Sequence, residues 1–374
     1  MSVLGIIFSY SDRENLRELT KWRTLSSLPI AGKYRIIDFI VSNFVNDGIY
    51  DVFVIARNNY HSLMDHLGAG KEWDLVRKRG GLRVLTPFSR SDNDKSGLYR
   101  GTIEALADNM HSIRHSMAEY VILSGSSILY SIDFNDLVES HIKSNADITA
   151  VYAKQREGYL TVPMGVAIYR FNEQNRLYDL TINMDDMSQQ DVTWSTELFV
   201  IRKSLLDTLV ADAISYGRYN FHEDIIKRLV NNLNIQGYEY KGHILEVSSV
   251  ASYMKSNMNF LDSEFRKKSF QRPIYTKNKD GVPARYYEGC QVRNSIISDG
   301  CRIEGTVENS LISTDVKIGR GAVVKNCIVM QKTEIMKDVE LDHVILDKDV
   351  IVRENRKLSG HATYPVVIEK GSIV

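Results

Sequence analysis

Two short segments of the chain have residue types that suit phosphate binding. Lys33 and Arg35 follow Gly32 and precede Asp38, and Gly101-Thr102 precedes a helical pattern. A glycine lets the backbone approach a phosphate group, and a Lys or Arg side chain neutralises the phosphate charge. Each segment also has a structural interpretation: an ion-pair network of Lys33, Arg35 and Asp38, which we favour, and a helix N-cap at Thr102.

Short apolar runs and one helical stripe indicate the elements that position these segments. The runs predict strands buried on both faces at Val3–Phe8, Val52–Ala56, Tyr120–Leu123 and Ile148–Ala153. The stripe predicts one helix after Gly101-Thr102, with apolar residues at Ile103, Leu106, Ala107, Met110, Ile113 and Met117. Alternating strands and helices are typical of an α/β fold with a mainly parallel sheet.

The pattern changes at about residue 286, where aliphatic residues recur every six positions. One series is Ile312, Ile318, Val324, Met330 and Met336, and its neighbour is Val323, Val329, Ile335 and Leu341. This period predicts a hexapeptide parallel β-helix, with an antiparallel sandwich of short strands as the less favoured alternative. We therefore predict one domain over residues 1–257, a charged linker of irregular structure over 258–285 and a β-helix over 286–374.

The composition excludes several classes of function. Lys and Arg total 47 and Asp and Glu total 47, so the net charge is zero and no general attraction to nucleic acid or anionic membranes is expected. The three widely spaced cysteines predict neither a disulfide framework nor a zinc site, and they favour a reducing cytoplasm. No apolar run approaches about 18 residues, so we expect no membrane-spanning helix.

Several motifs in combination resemble those of glucose-1-phosphate adenylyltransferase, the family also called ADP-glucose pyrophosphorylase. The segment from Ala31 to Asn43 resembles the family block G-G-K-Y-R-I-I-D-F-x-L-S-N. Further similarities are Trp73-Asp74-Leu75 with Gly80-Gly81, Tyr99-Arg100-Gly101-Thr102 with Ala105, Phe221 with Asp224, and Tyr253 with Asn257. The resemblance implies a Rossmann-like nucleotidyltransferase (GT-A-like) domain followed by a left-handed parallel β-helix. It also implies formation of ADP-glucose and pyrophosphate from ATP and glucose 1-phosphate, with Mg²⁺.

The residues that the resemblance places in the first catalytic loop are replaced. The family's glycine-rich loop corresponds to Tyr10–Asn15, which contains no glycine and includes the acidic residues Asp12 and Glu14. The catalytic Arg of the family falls on Asn15, and the Lys of its R-A-K-P motif falls on Leu25. Both positions have therefore lost a cation.

The metal and sugar-phosphate positions are changed as well. The magnesium-binding Asp of the family's S-G-D-H becomes Ser126, whereas its second acidic position is Glu246. The E-K-P motif corresponds to Ile182-Asn183-Met184, centred on Asn183, and the first Asp of D-F-G-x-D becomes Asn220. Each cation or metal that stabilises phosphoryl transfer is worth orders of magnitude in rate. Their joint loss predicts a silent active site without a metal or cofactor.

This pattern resembles the non-catalytic D-type subunit that accompanies the catalytic subunit in some bacteria. The resemblance implies a regulatory subunit in a heterotetramer, with the catalytic glucose-1-phosphate adenylyltransferase subunit as partner and a small-molecule effector as a further ligand. Remnants of nucleotide or sugar-phosphate binding are expected at Lys33, Gly101, Thr102, Ser195 and Glu246.

Three alternatives stay open from the sequence. A weakly active enzyme would use Arg13 or Arg17 as the missing cation and Glu246 as a magnesium ligand. A sensor would bind a sugar phosphate or a nucleotide without turning it over. A hexapeptide acyltransferase would use a coil histidine, His343 or His361, as its base, although such histidines more often lie on solvated turns.

Overall fold

The computed structural model describes residues 2–10, 15–87, 99–155, 162–163, 165–182, 192–278 and 281–374. The chain forms two compact units that alternate along the sequence. The first unit comprises Met1–Arg13 and Phe39–Ile244, and the second comprises Glu14–Asp38 and Leu245–Val374. The N-terminal stretch of the second unit is described from residue 15 and is called the 15–38 segment.

A nine-stranded mixed sheet forms the centre of the first unit. Val3–Phe8 pairs in parallel with Asp51–Ile55 on one side and with Tyr120–Ser124 on the other. The order across the sheet is Leu177–Ile182, Ala167–Phe171, Thr193–Arg202, Tyr120–Ser124, Val3–Phe8, Asp51–Ile55 and Gly81–Leu85, and Ile148–Lys154 joins Ile235–Glu239 to Thr193–Arg202. All four predicted strands are confirmed to within one residue at each end, and their burial fits strands covered on both faces.

Short helices accompany this sheet. They are His61–Leu67, Thr102–Asp108, Met110–His115, Phe134–Lys143 and Lys203–Ser215, with a π-helix at Phe221–Lys227 and a 3₁₀ turn at Lys71–Trp73. The helix Ile36–Asn46 begins in the 15–38 segment and ends in the first unit. Within the described ranges, no helix is long and apolar enough to cross a membrane.

The predicted single helix after Gly101-Thr102 is wrong in two respects. It is broken at Asn109, whose side-chain amide donates to the carbonyl of Ala105 at 2.8 Å, and Met117 lies beyond it with 87% of its surface exposed. Asparagine side chains compete with the backbone in this way, which explains the break. Thr102 is also not the N-cap, because Gly101 holds that position and no side chain caps the helix.

Three five-stranded parallel sheets form the β-helix of the second unit, and each coil contributes one strand to each sheet. The first sheet contains Arg285–Tyr286, Arg302–Ile303, Lys317–Ile318, Glu334–Ile335 and Ile351–Val352. The second contains Gln291–Arg293, Thr306–Glu308, Val323–Lys325, Glu340–Asp342 and Lys357–Ser359. The third contains Ile296–Ile297, Leu311–Ile312, Ile328–Val329, Val344–Leu346 and Val366–Ile368. The predicted β-helix is therefore confirmed.

The two sequence series imply that the interior of the β-helix keeps one six-residue register. The structure does not keep that register. Lys317, Glu334 and Ile351 are stacked partners spaced 17 residues apart, one fewer than three repeats of six. The interior consequently follows Ile318, Val324, Val329, Ile335, Leu341, Leu346 and Val352, changing from one predicted series to the other. Met330 and Met336 lie outside this interior cluster.

The segment that precedes the β-helix is more regular than predicted. A capping box of Ser249 and Ser252 begins the helix Val250–Met258, and a 3₁₀ turn follows at Asn259–Leu261. A second helix, Ser263–Ser269, begins where Asp262 Oδ1 accepts a hydrogen bond from the amide of Phe265 at 2.7 Å. The predicted irregular linker thus contains a capped helix, and its basic residues lie in the last turn, where they complement the helix dipole.

The 15–38 segment packs against the last coils of the β-helix. It contains 3₁₀ turns at Arg17–Thr20 and Leu25–Ser27 and a hairpin of Pro29–Ile30 with Tyr34–Arg35. The guanidinium of Arg23 donates to both carboxylate oxygens of Asp347, at 2.7 and 2.9 Å, and this ion pair is buried. Trp22 Nε1 donates to Glu369 at 2.8 Å. The sequence did not predict this docking.

Candidate ligand site

The structure distributes the predicted site residues between the two units. Gly101, Thr102, Ser126, Ser195 and Asn220 belong to the first unit, and Asn15, Leu25, Lys33 and Glu246 belong to the second. Asn183 and the loop residues Asp12, Arg13 and Glu14 lie outside the described residues. The first group lies at or beside a cavity, whereas most of the second is built into the packing of the 15–38 segment.

A cavity of about 250 Å³ lies at the carboxyl ends of the central parallel strands, where α/β proteins commonly bind ligands. It is lined by Phe8, Tyr10, Thr102, Leu123, Gly125, Gly165, Ala167, Ile182, Glu197, Phe199, Asn220, Phe221, His222 and Glu223. Among these described lining residues, two are acidic, Glu197 and Glu223, and none is Lys or Arg. The Arg57 guanidinium lies 5.7 Å from the ring centre of Tyr10 without lining the cavity.

The position of the predicted magnesium ligand holds an uncharged, buried side chain. Ser126 is fully buried, and its Oγ has no hydrogen-bond partner in the described part of the chain. The neighbouring Ser127 Oγ donates to Glu197 Oε2 at 2.7 Å. Ser124 Oγ lies 2.7 Å from the hydroxyl of Tyr130, whose pKa is raised chiefly by burial.

These residues do not fit a magnesium site. Magnesium is held by carboxylate, phosphate and water oxygens in near-octahedral geometry, and a neutral serine hydroxyl is a poor replacement for the family's Asp. No group of three or more His, Cys, Asp or Glu residues is arranged to hold a metal ion within the described ranges.

Glu197 is the residue of this cavity that sequence reasoning missed. It lies in Thr193–Arg202, where the register shifts between Ser195 and Leu198, and its φ of 59° is in the left-handed region. The amide of Gly125 donates to its carbonyl at 3.0 Å, and a Cβ added at Gly125 would lie 2.5 Å from Glu197 Oε2. A sequence signal was available: counted from Ser195, Glu197 stands at the glycine of the family's A-S-M-G motif.

Ser195 is a buried hydrogen-bonding centre behind the cavity wall. Its Oγ accepts from the hydroxyl of Tyr169 at 2.9 Å and from the amide of Glu197 at 3.1 Å, and it lies 3.2 Å from His222 Nε2. Asn220 caps the π-helix, because its Oδ1 accepts from the amides of His222 and Glu223 at 2.9 and 3.1 Å. Asn220 therefore supplies a helix cap without the charge of the family's Asp.

Gly101 has a structural reason to be glycine. A Cβ at this position would lie 2.4 Å from the carbonyl oxygen of Tyr219, which also accepts from the amide of Ile103 at 3.0 Å. Thr102 follows as the first helical residue and lines the cavity. Gly101 thus allows the close approach of Tyr219, and Thr102 forms part of the cavity wall.

The replaced cation positions of the second unit are structural. Leu25 is fully buried, so an apolar core residue stands where the family has Lys. The amide of Asn15 donates to the carbonyl of Ser248 at 2.6 Å. Arg17, the proposed substitute cation, donates to the hydroxyl of Tyr364 at 2.9 Å and lies 5.1 Å from the centre of its ring.

The predicted binding remnants of the second unit differ in exposure. Lys33 is exposed, with its ammonium 5.2 Å from the ring centre of Tyr34, and Glu246 is buried. Asp38 is fully buried and accepts from the amide of Arg35 at 2.9 Å and from Thr276 Oγ1 at 2.6 Å. Asp38 therefore stabilises the fold through these two hydrogen bonds.

Lys348 lies beside the buried ion pair of Arg23 and Asp347 in the second unit, and its amide donates to Asp347 Oδ1 at 2.7 Å. Burial lowers the pKa of Lys348 to about 7, and the charges of Arg35, Arg23 and Lys370 lower it further, while Asp347 opposes them. Arg23 already pairs with Asp347, so a further anion would gain chiefly from Lys348, Arg35 and Lys370, whose mutual repulsion it would offset. This group is called the Lys348 cluster.

His343, one of the two coil histidines, lies at a corner of the β-helix with a φ of 51°. Its Nδ1 is 2.8 Å from Asp342 Oδ1, and its ring centre is 6.5 Å from that of His361. Asparagine side chains stack along this corner of the β-helix, and Asp342 ends the stack. Its Oδ1 accepts a hydrogen bond from Asn326 Nδ2 at 2.8 Å. These contacts make His343 part of the stacked corner, so they favour a structural role for it over that of an acyltransferase base.

Comparison with known families agrees with both parts of the fold. The model described as "Nucleotidyl transferase" matches residues 12–267, and the model described as "GlmU-like, C-terminal hexapeptide" matches residues 282–362. The second match identifies the β-helix as the left-handed hexapeptide type.

Proteins similar to this chain include some named "Glycogen biosynthesis protein GlgD" and some named "Glucose-1-phosphate adenylyltransferase". The chain is 32% identical to "Glycogen biosynthesis protein GlgD" of Bacillus subtilis (strain 168), over 99% of this chain and 96% of that protein. It is 35% identical to the protein of the same name from Geobacillus stearothermophilus, over 86% and 82%. It is 31% identical to "Glucose-1-phosphate adenylyltransferase" of Fervidobacterium nodosum (strain ATCC 35602 / DSM 5306 / Rt17-B1), over 96% and 86%.

Proposed function

Because this chain belongs to the nucleotidyltransferase family that contains GlgD and glucose-1-phosphate adenylyltransferase, we propose that it is a regulatory, catalytically deficient subunit of glucose-1-phosphate adenylyltransferase. In this proposal it acts in bacterial glycogen biosynthesis, in the cytoplasm. Its partner is the catalytic subunit, with which it forms a heterotetramer and whose activity it changes through their interface.

The charge of the cavity is the observation that carries the proposal. Nucleotidyl transfer from ATP develops negative charge that cations and a metal must stabilise. The described cavity wall has Glu197 and Glu223 but no Lys or Arg, and the metal position has the hydroxyl of Ser126. Such a site has little means of stabilising pyrophosphate as it leaves.

The decisive experiment co-expresses this chain with a catalytic subunit of the family. We expect the two to purify together and the mixture to differ from the catalytic subunit alone in maximal rate or apparent affinity for ATP. The purified chain alone should form no ADP-glucose. Turnover by the chain at a rate comparable to the catalytic subunit would overturn the proposal, as would the absence of both a complex and a kinetic effect. The catalytic subunit mixed with heat-denatured chain is the control.

The Lys348 cluster favours a second function, that of a sensor for a phosphorylated small molecule. Its cations belong to two sequence regions: Arg23 and Arg35 lie in the 15–38 segment, and Lys348 and Lys370 lie in the last coils of the β-helix. An anion bound by both regions would stabilise their contact. Binding of such a ligand would therefore favour the conformation of the second unit in which the two regions are in contact.

Titration calorimetry of the full chain with ATP, ADP-glucose and fructose bisphosphate tests the sensor function. Because Lys348 must be protonated to attract an anion, affinity should weaken as the pH rises above about 7. Lys348→Gln should weaken binding about tenfold or more, whereas Lys267→Gln, at an exposed lysine, should not. Silence with all three ligands would contradict the sensor function without affecting the regulatory one.

A further inference from the structure

One corner of the β-helix is shorter in the second coil than in the coils on either side of it. This corner joins the first parallel sheet to the second, and in the first four coils it consists of residues 287–290, 304–305, 319–322 and 336–339. The second coil therefore has two residues where its neighbours have four. Equal corners would stack into a continuous ridge, so the shorter corner leaves a notch in that ridge.

The notch is an open cavity of about 770 Å³ whose shape is set by the backbone. It is lined by Glu288, Gly289, Glu304, Gly305, Thr306, Arg320, Gly321, Lys337 and Asp338. Gly305 is buried, and a Cβ at this position would lie 2.4 Å from the carbonyl oxygen of Ala322 and 2.8 Å from that of Gly319. Only glycine permits the corner of the third coil to approach so closely.

Four exposed side chains at the notch carry charges whose order along the β-helix is acidic, acidic, basic, basic. From the first coil to the fourth they are Glu288, Glu304, Arg320 and Lys337. None of the four forms an ion pair or a side-chain hydrogen bond within the part of the chain that the structure describes. Asp338 lies beside Lys337 and offsets part of its charge. The corner therefore attracts a surface with the opposite order of charges.

The size of this charge pattern indicates a protein surface rather than a small molecule. The four coils extend over three strand spacings, or about 14 Å, so a small molecule would meet only one of the two like-charged pairs. A protein surface can meet both pairs at once.

The order of charges is complementary to itself about a two-fold axis. When a second copy lies antiparallel, with the axis between the second and third coils, Glu304 faces the partner's Arg320 and Glu288 faces the partner's Lys337. The same rotation places the full corner of the third coil opposite the notch of the partner's second coil. Shape and charge are thus matched in one arrangement, as an isologous contact requires.

We propose that two copies of this chain associate through the notched corner of the β-helix, with Glu304 paired to the partner's Arg320 and Glu288 paired to the partner's Lys337. The contact is small and its ion pairs are exposed, so the dissociation constant is on the order of 100 µM. This inference goes beyond the proposed function, whose interface is with a catalytic subunit. In a heterotetramer, the corner would join the two regulatory chains.

Sedimentation equilibrium of the purified full chain, without a catalytic subunit, measures this association. We expect a monomer–dimer equilibrium that weakens by about tenfold or more between about 0.05 and 0.5 M salt, because salt screens exposed ion pairs. A chain that stays monomeric up to about ten times the expected dissociation constant overturns the inference. An association that salt leaves unchanged also overturns it.

Charge reversal assigns the association to the corner. Glu304→Lys and Arg320→Glu should each weaken it by about tenfold or more, because each variant brings like charges together twice in the dimer. Both side chains are exposed, so the melting temperature should stay unchanged. Glu173→Lys, at an exposed turn of the first unit, is the control and should keep the wild-type affinity. Wild-type affinity in both corner variants would refute the proposal.

An equimolar mixture of the two corner variants tests the two-fold arrangement itself. In the mixed dimer, the lysine introduced by Glu304→Lys faces the glutamate introduced by Arg320→Glu. The native Arg320 of the first chain faces the native Glu304 of the second. The mixture should therefore recover the wild-type affinity, and a mixture that associates as weakly as either variant alone contradicts the two-fold pairing.

These outcomes are separate from those that test the regulatory role. A monomeric chain leaves the co-expression result standing, and failure to bind a catalytic subunit leaves the corner contact standing. If Glu304→Lys abolishes binding of the catalytic subunit and leaves self-association unchanged, the corner belongs to the catalytic subunit and the inference fails.

Discussion

The backbone of Glu197 stores strain at the edge of the cavity. Its left-handed φ costs a residue with a Cβ about 1–2 kcal/mol, whereas glycine adopts it freely. Glu197→Gly and Glu197→Ala both remove the carboxylate and its bond to Ser127, so they differ mainly in the backbone. We expect the Gly variant to be more stable than the Ala variant by about 1 kcal/mol, measured by denaturant unfolding.

An ordinary strand position provides the control for this comparison. Arg170 is exposed in Ala167–Phe171 and has no positive φ. There the order should reverse, with Arg170→Ala more stable than Arg170→Gly, because glycine loses more conformational entropy on folding. An Ala variant at position 197 as stable as the Gly variant would contradict the strain argument.

The buried His141 makes the first unit sensitive to acid. Burial lowers the pKa of His141 to about 4, and the charge of Arg202 adds to the effect, while its Nδ1 lies 2.8 Å from Thr149 Oγ1. The unfolded chain, with a His pKa of about 6.5, therefore binds the proton more readily than the folded chain. Stability from this group is complete above pH 6.5 and is lost as the pH falls towards 4, by about 3 kcal/mol in total.

His141→Gln should remove this loss. The free energy of unfolding, measured between pH 7 and pH 4, should fall more steeply for the wild type than for the variant. His61→Gln, at an exposed histidine, should retain the wild-type slope. Parallel curves for the wild type and His141→Gln would show that His141 does not cause the acid sensitivity.

At the scale of elements, one buried ion pair contributes to the docking of the 15–38 segment. Arg23 and Asp347 are 3% and 1% exposed, and loss of one partner leaves the other charge buried and unpaired. We expect Arg23→Met or Asp347→Asn alone to cost about 3–5 kcal/mol of unfolding free energy. The double variant should cost clearly less than the sum, because neither charge is then left alone.

The exposed pair of Arg114 and Asp207 is the control for this double-mutant cycle. Its side chains are 59% and 31% exposed, so its coupling energy should be about 0–1 kcal/mol. Strictly additive effects at Arg23 and Asp347 would mean that the buried pair is not coupled as its geometry implies.

Elements were predictable from the sequence where short-range pattern decides them. Val3–Phe8 was predicted with its observed ends because a buried parallel strand is a continuous apolar run. The register of the β-helix was not, since the length of each coil is set at its corners, where residues such as Asn326 and His343 adopt left-handed φ. Stacked partners are 15 residues apart at Arg302 and Lys317 but 17 apart at Lys317 and Glu334. Periodicity reveals the repeat but not the residue lost at a corner.

The candidate site was predictable where a motif marks it. Ser126 and Asn220 were identified as altered positions because neighbouring motif residues remain, and the structure places both at or beside the cavity. Glu197 was missed although it stands at the glycine of the family's A-S-M-G motif, because a single acidic residue in a strand creates no periodic pattern. Its effect depends on Ser127 and Gly125, which are distant in sequence.

At the scale of the whole molecule, each of the two units is built from two separate stretches of the chain. The chain enters the second unit at residue 14, leaves it after residue 38 and returns at residue 245. The 15–38 segment is thus joined covalently to the first unit on both sides, although it packs in the second. Arg23 and Asp347 are 324 residues apart, a separation that no local pattern reports.

A chain divided between Gly242 and His243 should therefore stay together. This cut follows the exposed Gly242 and lies between Ile235–Glu239 and Leu245–Glu246. The fragment 1–242 retains the 15–38 segment, and the fragment 243–374 retains the surface on which that segment packs. When the two are co-expressed with an affinity tag on the first, we expect the second to purify with it in equal amount. Arg23→Glu should break the association by placing a second buried carboxylate beside Asp347, whereas Arg114→Glu should preserve it. Soluble fragments that elute separately without any substitution would show that the 15–38 segment does not hold the second unit together.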